Sequence, residues 1–378
     1  MQSMDNMDNM DNEKQNIDLD DATILVTGSP GFIGANLAVR LLSDTAVMKE
    51  GLVVSLDNMN DYYDPALKEY RLSQIEAVSA KSNVKHRFIR GNIADEQLVR
   101  QVFDDIRPDI VVNLAAQAGV RYSIKHPEAY IESNLVGFYN ILEACRHSYD
   151  GGRKGVKHLL YASSSSVYGG NTKVPFSTDD KVDNPVSLYA ATKKSDELLA
   201  HCYSKLYDIP STGLRFFTVY GPAGRPDMFY YSATQKLCRG ETIRIFNNGN
   251  MKRDFTYVDD IVEGIIRVMH KAPKRMTGPD GLPMAPYALY NIGGGSPEDL
   301  LYFVSVLQEE LVSAGVLPED YDFEAHRELA GMQPGDVPVT FADSSALERD
   351  FGFIPAIDIR TGLRKFCKWY REYYWDEI

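Results

Sequence analysis

One tyrosine and one lysine, Tyr189 and Lys193, stand four residues apart in Tyr189-Ala190-Ala191-Thr192-Lys193. On a helix that spacing puts both side chains on one face, so a phenol and an ammonium can meet the same ligand. Tyrosine titrates near ~10 in water, and a neighbouring positive charge favours the phenolate. The pair would make Tyr189 a base for a hydroxyl, the proton transfer that carbonyl–alcohol redox chemistry needs. With 23 tyrosines in the chain, about one such pair is expected by chance. An amphipathic helix with Tyr189 in the core and Lys193 in solvent would read the same way.

The upstream sequence supplies the other half of the chemistry. Thr23-Ile24-Leu25-Val26-Thr27 reads as a buried strand and runs into Gly28-Ser29-Pro30-Gly31-Phe32-Ile33-Gly34, followed by a helical pattern at Ile33, Leu37 and Leu41. Glycines there let backbone N–H groups approach a pyrophosphate, and the helix start adds positive potential. A second strand, Leu52 to Leu56, ends in Asp57, about twenty residues after the last glycine. A carboxylate at that place binds ribose hydroxyls and repels a 2′-phosphate, which favours NAD over NADP. Asn58 is the residue beside it.

Elements to position these residues follow in alternation. Strand-like runs recur at His86–Ile89, Ile110–Leu114, His158–Ala162 and Thr212–Phe217, with helical patterns between them at Glu128–Arg146 and Tyr189–Tyr207. Such alternation implies an α/β fold with a doubly wound parallel sheet, whose ligands lie at the carboxyl ends of the strands. Asn92-Ile93, Leu114-Ala115-Ala116 and Ser163-Ser164-Ser165-Ser166 occupy those ends. After Phe217 the pattern loosens into shorter, loop-rich elements. Residues 21–217 therefore read as a Rossmann-type domain, with returns near 255–272 and 287–295. Residues 218–378 read mainly as a smaller C-terminal substrate-binding lobe.

Composition narrows the class. A chain of 378 residues, 44% hydrophobic and 25% charged, is an ordinary globular one. A net charge of −13 argues against nucleic acid or an anionic membrane as partner, and obliges any anionic substrate to be held by local arginines. Cys145, Cys202, Cys238 and Cys367 show neither Cys-x-x-Cys pairs nor metal spacing, so reduced thiols in the cytoplasm and no metal are expected. No apolar run approaches the ~20 residues of a membrane span, and no secretory signal is visible. Residues 1–20, with Met-Asp-Asn three times, read as a disordered tail.

Three marks stand together: Thr27-Gly28-x-x-Gly31-x-x-Gly34, the serine cluster before Val167-Tyr168-Gly169, and Tyr189-x-x-x-Lys193. From Ala22 onward the chain resembles the extended short-chain dehydrogenase/reductase superfamily, and within it the nucleotide-sugar epimerases and dehydratases. Finer stretches resemble the UDP-glucuronate 4-epimerases: Asp57 to Pro65, Tyr161 to Gly170, Arg215 to Pro222, Arg253 to Asp260 and Met332 to Val337. The resemblance implies that Tyr189 deprotonates the sugar 4-hydroxyl while NAD takes the C4 hydride. Ser164 would hydrogen-bond the same oxygen, and Lys193 would hold the nicotinamide ribose. The 4-keto sugar would then turn over and receive the hydride on its other face. Arg253 matches a diphosphate contact, Phe246 a uracil-packing residue and Asp336 a nucleotide-ribose contact, with Arg121 a further substrate-binding residue. Gln333 departs from the arginine that many relatives carry at a phosphate contact.

Dehydratases and decarboxylases of the superfamily typically carry an acid near the catalytic Ser/Thr. Here Ser165 and Ser166 stand there instead, with no ionisable group for an extra proton transfer. Arg225 favours glucuronate over glucose, because its planar fork suits a carboxylate; Thr218, where hexose epimerases often have asparagine, fits a changed pocket around C6. A UDP-glucuronate decarboxylase, a UDP-glucose 4-epimerase and a non-catalytic NAD-binding sensor remain as alternatives. A homodimer is expected through the two helical segments, with Phe138, Ile141, Leu142, Leu198, Leu199 and Cys202 as the apolar positions beyond one face.

Overall fold

Seven strands rich in apolar and β-branched residues form one parallel sheet: β1 (Thr23–Thr27), β2 (Leu52–Asp57), β3 (Lys85–Arg90), β4 (Ile110–Asn113), β5 (His158–Ser164), β6 (Ser211–Phe216) and β7 (Tyr287–Ile292). The structure, a computed structural model, describes residues 14–332 and 336–374. The spatial order is β3-β2-β1-β4-β5-β6-β7, every neighbouring pair parallel. The order reverses between β1 and β4, which opens a crevice at the carboxyl ends of those two strands. Register aligns Thr27 with both Leu56 and Asn113, so the first residues past each strand meet there.

Alternate residues of each strand serve opposite layers. Ile24, Val26, Ile110 and Val112 join one core with helices α1 (Phe32–Ser43) and, later in the chain, Val258–Met269. Leu25, Val54, Val111 and Leu159 join the other, beneath α3 (Glu96–Ile106), α4 (Gly137–His147) and α5 (Leu188–Tyr207); α2 (Pro65–Ser79) follows β2 and packs on α1. The helical pattern read over Glu128–Arg146 runs from Pro127 to His147, but Ile131–Val136 inside it is a π-helical turn. That turn re-aims Asn134, whose amide brackets the Gln117 backbone and reaches Thr192 Oγ1 at 3.0 Å.

Smaller pairings build the second lobe: Thr218–Tyr220 parallel to Phe255–Tyr257, Ile243–Ile245 parallel to Arg327–Leu329, and Lys252–Arg253 antiparallel to Glu298–Asp299. Helices α6 (Phe229–Cys238), α7 (Val258–Met269), α8 (Leu300–Ser313) and α9 (Ile359–Tyr373) close it. Its aromatics interlock, with Phe255 stacked on Phe303 at 3.9 Å and Phe366 edge-on to Tyr230 at 4.8 Å. Among the described residues no helix is long and apolar enough to cross a membrane.

Two expectations are corrected. Residues 14–20 are not a tail: Lys14–Asn16 pairs antiparallel with Lys271–Pro273, and Lys14 bonds Asp350. The cause is Ile17 and Leu19, two apolar side chains in a polar run that are buried in the core. Residues 1–13 lie outside the described residues, as do Gln333 and Trp375. The second correction concerns the expected dimer face. Phe138, Ile141 and Leu142 point into the sheet-side core, because the helix carries its apolar stripe inward. Of the other expected positions Leu199 is half-buried against the same core, whereas Leu198 and Cys202 are exposed, as are Ile131, Val136, Tyr139, Leu206 and Tyr207.

Candidate active site

The glycine turn is built so that only glycine fits it. Gly28 has φ +70°, and a Cβ there would lie 2.7 Å from the Ala115 nitrogen; at Gly34 it would lie 2.4 Å from the Gly28 carbonyl oxygen. Gly31 precedes α1, whose first turn, starting at Phe32 and Ile33, has neither a capping side chain nor an acid. Its N–H groups thus remain available to an anion. Thr27 Oγ1 donates to Asn113 Oδ1 at 2.6 Å and accepts from the Ala115 N–H, tying β1 to Leu114-Ala115-Ala116.

Asp57 closes β2 at the far side of this turn. Its Oδ1 accepts the Met59 N–H at 2.6 Å and meets Lys68 Nζ at 3.3 Å; Lys68 also donates to Asn60 Oδ1. Asn58 holds the same loop by accepting from the Asn60 N–H. Asn92 accepts from the Ala94 N–H and donates to Glu132, beside buried Ile93. The glycine cradle, open helix start and terminal carboxylate fit a dinucleotide whose pyrophosphate sits on the turn and whose ribose meets Asp57.

Ser187 caps α5 through the Ala190 N–H, which starts the helix just before Tyr189. One turn on, buried Lys193 donates from Nζ to the Ala162 carbonyl at 2.9 Å and to Asp196 Oδ2 at 3.1 Å. Burial pushes the Asp196 carboxyl up to about 7 against the opposing pull of Lys193, and its Oδ1 has no hydrogen-bond partner. Ser164 ends β5 and its Oγ accepts the Ser166 N–H at 3.1 Å, which starts the short turn Ser165–Tyr168.

Arg225, expected as a carboxylate-binding fork, lines the same cleft as Tyr189 and Lys193. Its Nε and Nη2 already hold Asp227, at 3.0 and 2.5 Å, and Tyr62 Oη donates to the same Asp227 at 3.1 Å. Burial alone would lower the Arg225 guanidinium, yet Asp227 beside it leaves it raised. Nη1 is the guanidinium nitrogen that Asp227 does not hold. Further along, Arg121 meets Asp336 at 3.3 Å and lies 5.0 Å over the Phe246 ring. Arg253 bonds the Lys252 and Pro338 carbonyls, and burial lowers its guanidinium.

The site residues expected from the sequence, Thr218 included, line a single cleft of about 1140 Å³ that runs from the glycine turn past Tyr189 and Lys193 to Phe246. Among the described residues no cluster of His, Cys, Asp or Glu could hold a metal. Sequence reasoning missed Lys68, Asp196, Tyr62 and Asp227. The last was visible as Arg225-Pro226-Asp227, an acid two residues from an arginine across a turn; the others carry no local signal.

Comparison with known proteins places this cleft. The NAD dependent epimerase/dehydratase family matches residues 24–293. Protein CapI of Staphylococcus aureus is 49% identical over 358 residues, 93% of this chain and 99% of the relative. UDP-glucuronate 4-epimerase 4 of Arabidopsis thaliana is 43% identical over 358 residues, 93% of this chain and 76% of the plant protein. A Bacillus cereus UDP-glucuronic acid 4-epimerase, crystallised with UDP-glucuronic acid and NAD, matches with a TM-score of 0.75 at 29% identity, covering 93% of this chain and 100% of that one. With the glycine turn, the Tyr189–Lys193 pair and the matched span agreeing, the chain belongs to the NAD dependent epimerase/dehydratase family.

Proposed function

We propose that this protein interconverts UDP-glucuronate and UDP-galacturonate by epimerisation at C4, keeping NAD bound through the cycle. The observation that carries the reading is the presence of Arg225 in one cleft with Tyr189, Lys193 and Ser164. Support comes from relatives named for that reaction, and from a neighbour solved with that sugar nucleotide and NAD.

Bound NAD supplies a hydride acceptor that also returns the hydride. Gly28, Gly31, Phe32, Ile33 and Gly34 hold its pyrophosphate by backbone N–H groups, Asp57 and Asn58 its adenosine ribose, and Asn92, Ile93 and Leu114–Ala116 its flanks. Tyr189 takes the proton of the 4-hydroxyl and gives it back from the same oxygen once the sugar has turned over. Ser164 hydrogen-bonds that oxygen, and Lys193 orients the cofactor ribose beside the phenol. Arg253 and Arg121 neutralise the diphosphate, Phe246 packs the base and Asp336 meets the nucleotide ribose. Arg225, with Ser165, Ser166 and Thr218, receives the C6 carboxylate. In this reading residues 21–217 carry the cofactor and residues 218–378 mainly the nucleotide sugar. Two copies associate through α4 and α5, and the free thiols suit the cytoplasm.

Proton NMR of UDP-glucuronate incubated with the pure protein tests the assignment. UDP-galacturonate signals at unchanged total sugar are expected. A pentose product, or conversion of UDP-glucose but not of UDP-glucuronate, would overturn it.

A further inference from the structure

Arg71, on α2, is 2% exposed and touches three segments far apart in the sequence. Nη1 donates to the Pro30 carbonyl inside the glycine turn at 3.2 Å and to Tyr63 Oη at 2.7 Å. Nε donates to the Ala223 carbonyl at 2.8 Å and Nη2 to the Gly224 carbonyl at 2.7 Å, the two residues just before Arg225.

Those acceptors are three carbonyls and a phenol, and among the described residues no carboxylate lies within ion-pair distance of Arg71. The other buried cations of this region each have an acid: Arg215 has Glu197, Lys68 has Asp57 and Lys193 has Asp196. Burying a guanidinium without an anion is costly, so its place here calls for a reason beyond packing. The turn it holds is itself constrained. Ala223 adopts φ +49° without being glycine, and a Cβ on Gly224 would fall 1.7 Å from Tyr230 Oη. Tyr62, next to the Tyr63 that Arg71 holds, bonds the Asp227 that holds Arg225. The contacts close a ring from the glycine turn through Arg71 to both sides of Arg225.

We propose that Arg71 is the positioning residue that locks the Arg225 turn to the cofactor turn, and so fixes where the acidic end of the nucleotide sugar sits relative to the pyrophosphate loop. Its unpaired charge also adds positive potential beneath two places that receive anions. This role rests on the reading of Arg225 as the carboxylate-binding residue.

The test compares two ligands by calorimetry on the NAD-loaded enzyme: UDP-glucuronate, which has the carboxylate, and UDP, which lacks it. Arg71→Lys keeps a cation but loses the four-bond fork. It is expected to weaken UDP-glucuronate about tenfold or more while changing UDP less than about twofold. Tyr63→Phe removes one acceptor at nearly constant volume and should move the same ratio in the same direction by less, with an unchanged melting temperature. If both variants leave the ratio of the two dissociation constants at the wild-type value, whatever happens to melting, Arg71 only packs and the proposal falls. Because the ratio needs no turnover, it is independent of the epimerase assignment. Wild-type protein that binds UDP-glucuronate no tighter than UDP would refute the Arg225 reading, and this role with it.

Discussion

At the scale of single residues, the site combines one readable pair with a partner that the sequence hides. Tyr189 and Lys193 announce themselves by spacing, but Asp196, which anchors Lys193 from beneath, reads as one more helix acid. Tyr189→Phe should keep its fold and its NAD and lose activity by on the order of 10²–10⁴-fold, since the ring remains and the proton acceptor is gone. Turnover within a few-fold of wild type would remove Tyr189 from its role. Asp196 gives a prediction in pH. Its carboxyl is raised by burial to about 7 in the fold, so the fold favours the protonated form. That contribution is full below the ordinary carboxyl range and is lost as pH climbs through about 7. Asp196→Asn cannot ionise, so its melting temperature relative to wild type should rise between pH 5 and pH 8. A difference that is flat or falling over that window would contradict the assignment.

The proposed Arg225 clamp has chemical consequences as well as affinity. Oxidation of glucuronate at C4 makes a β-keto acid, which loses CO₂ once the C5–carboxylate bond aligns with the carbonyl π system. A charge-assisted hydrogen bond is worth about 1.5–3 kcal/mol net, enough to hold the carboxylate off that alignment ten- to a hundredfold. Arg225→Ala should raise the Michaelis constant for UDP-glucuronate and the CO₂ released per epimerisation, measured with carboxyl-labelled substrate. Both staying at wild-type values would show that Arg225 is not the clamp.

Among the elements, strands were legible because parallel strands covered on both faces are continuous apolar runs, as in Ile24–Val26 and Ile110–Val112. The edge strand β3, Lys85–Arg90, was readable despite its charges through Phe88 and Ile89. Two things escaped. Ile17 and Leu19 anchor a segment whose composition is otherwise that of a tail, and composition averages them away. The outer face of α4 escaped because periodicity shows that a stripe exists but not which surface it meets. Leu198 at 60% and Leu206 at 64% exposure on α5, with Tyr139 on α4 and Val136 just before it, are the exposed apolar residues through which the proposed dimer would pair. Leu198→Glu should shift the protein from dimer to monomer in light scattering at micromolar concentration, with little effect on folding. A monomeric wild-type protein would dismiss this interface.

For the whole molecule, the reversal of strand order between β1 and β4 explains why residues from Gly28 to Asp336 share one cleft. The first half of that cleft was legible because its turn, strand ends and acid follow local rules. The second half was reached only through resemblance, since Phe246, Arg253 and Asp336 come from a short turn, a two-residue strand and a loop whose meeting no periodicity encodes. Arg71 and Tyr62 act through long-range contacts, and a single sequence carries no signal for them. The central claim is that one cleft removes hydrogen from C4 and restores it to C4 without exchange. UDP-glucuronate deuterated at C4 tests this most directly, with the product examined by NMR and mass spectrometry in ordinary water. The account predicts UDP-galacturonate that keeps the deuterium at C4, whereas loss of the label to solvent would contradict it.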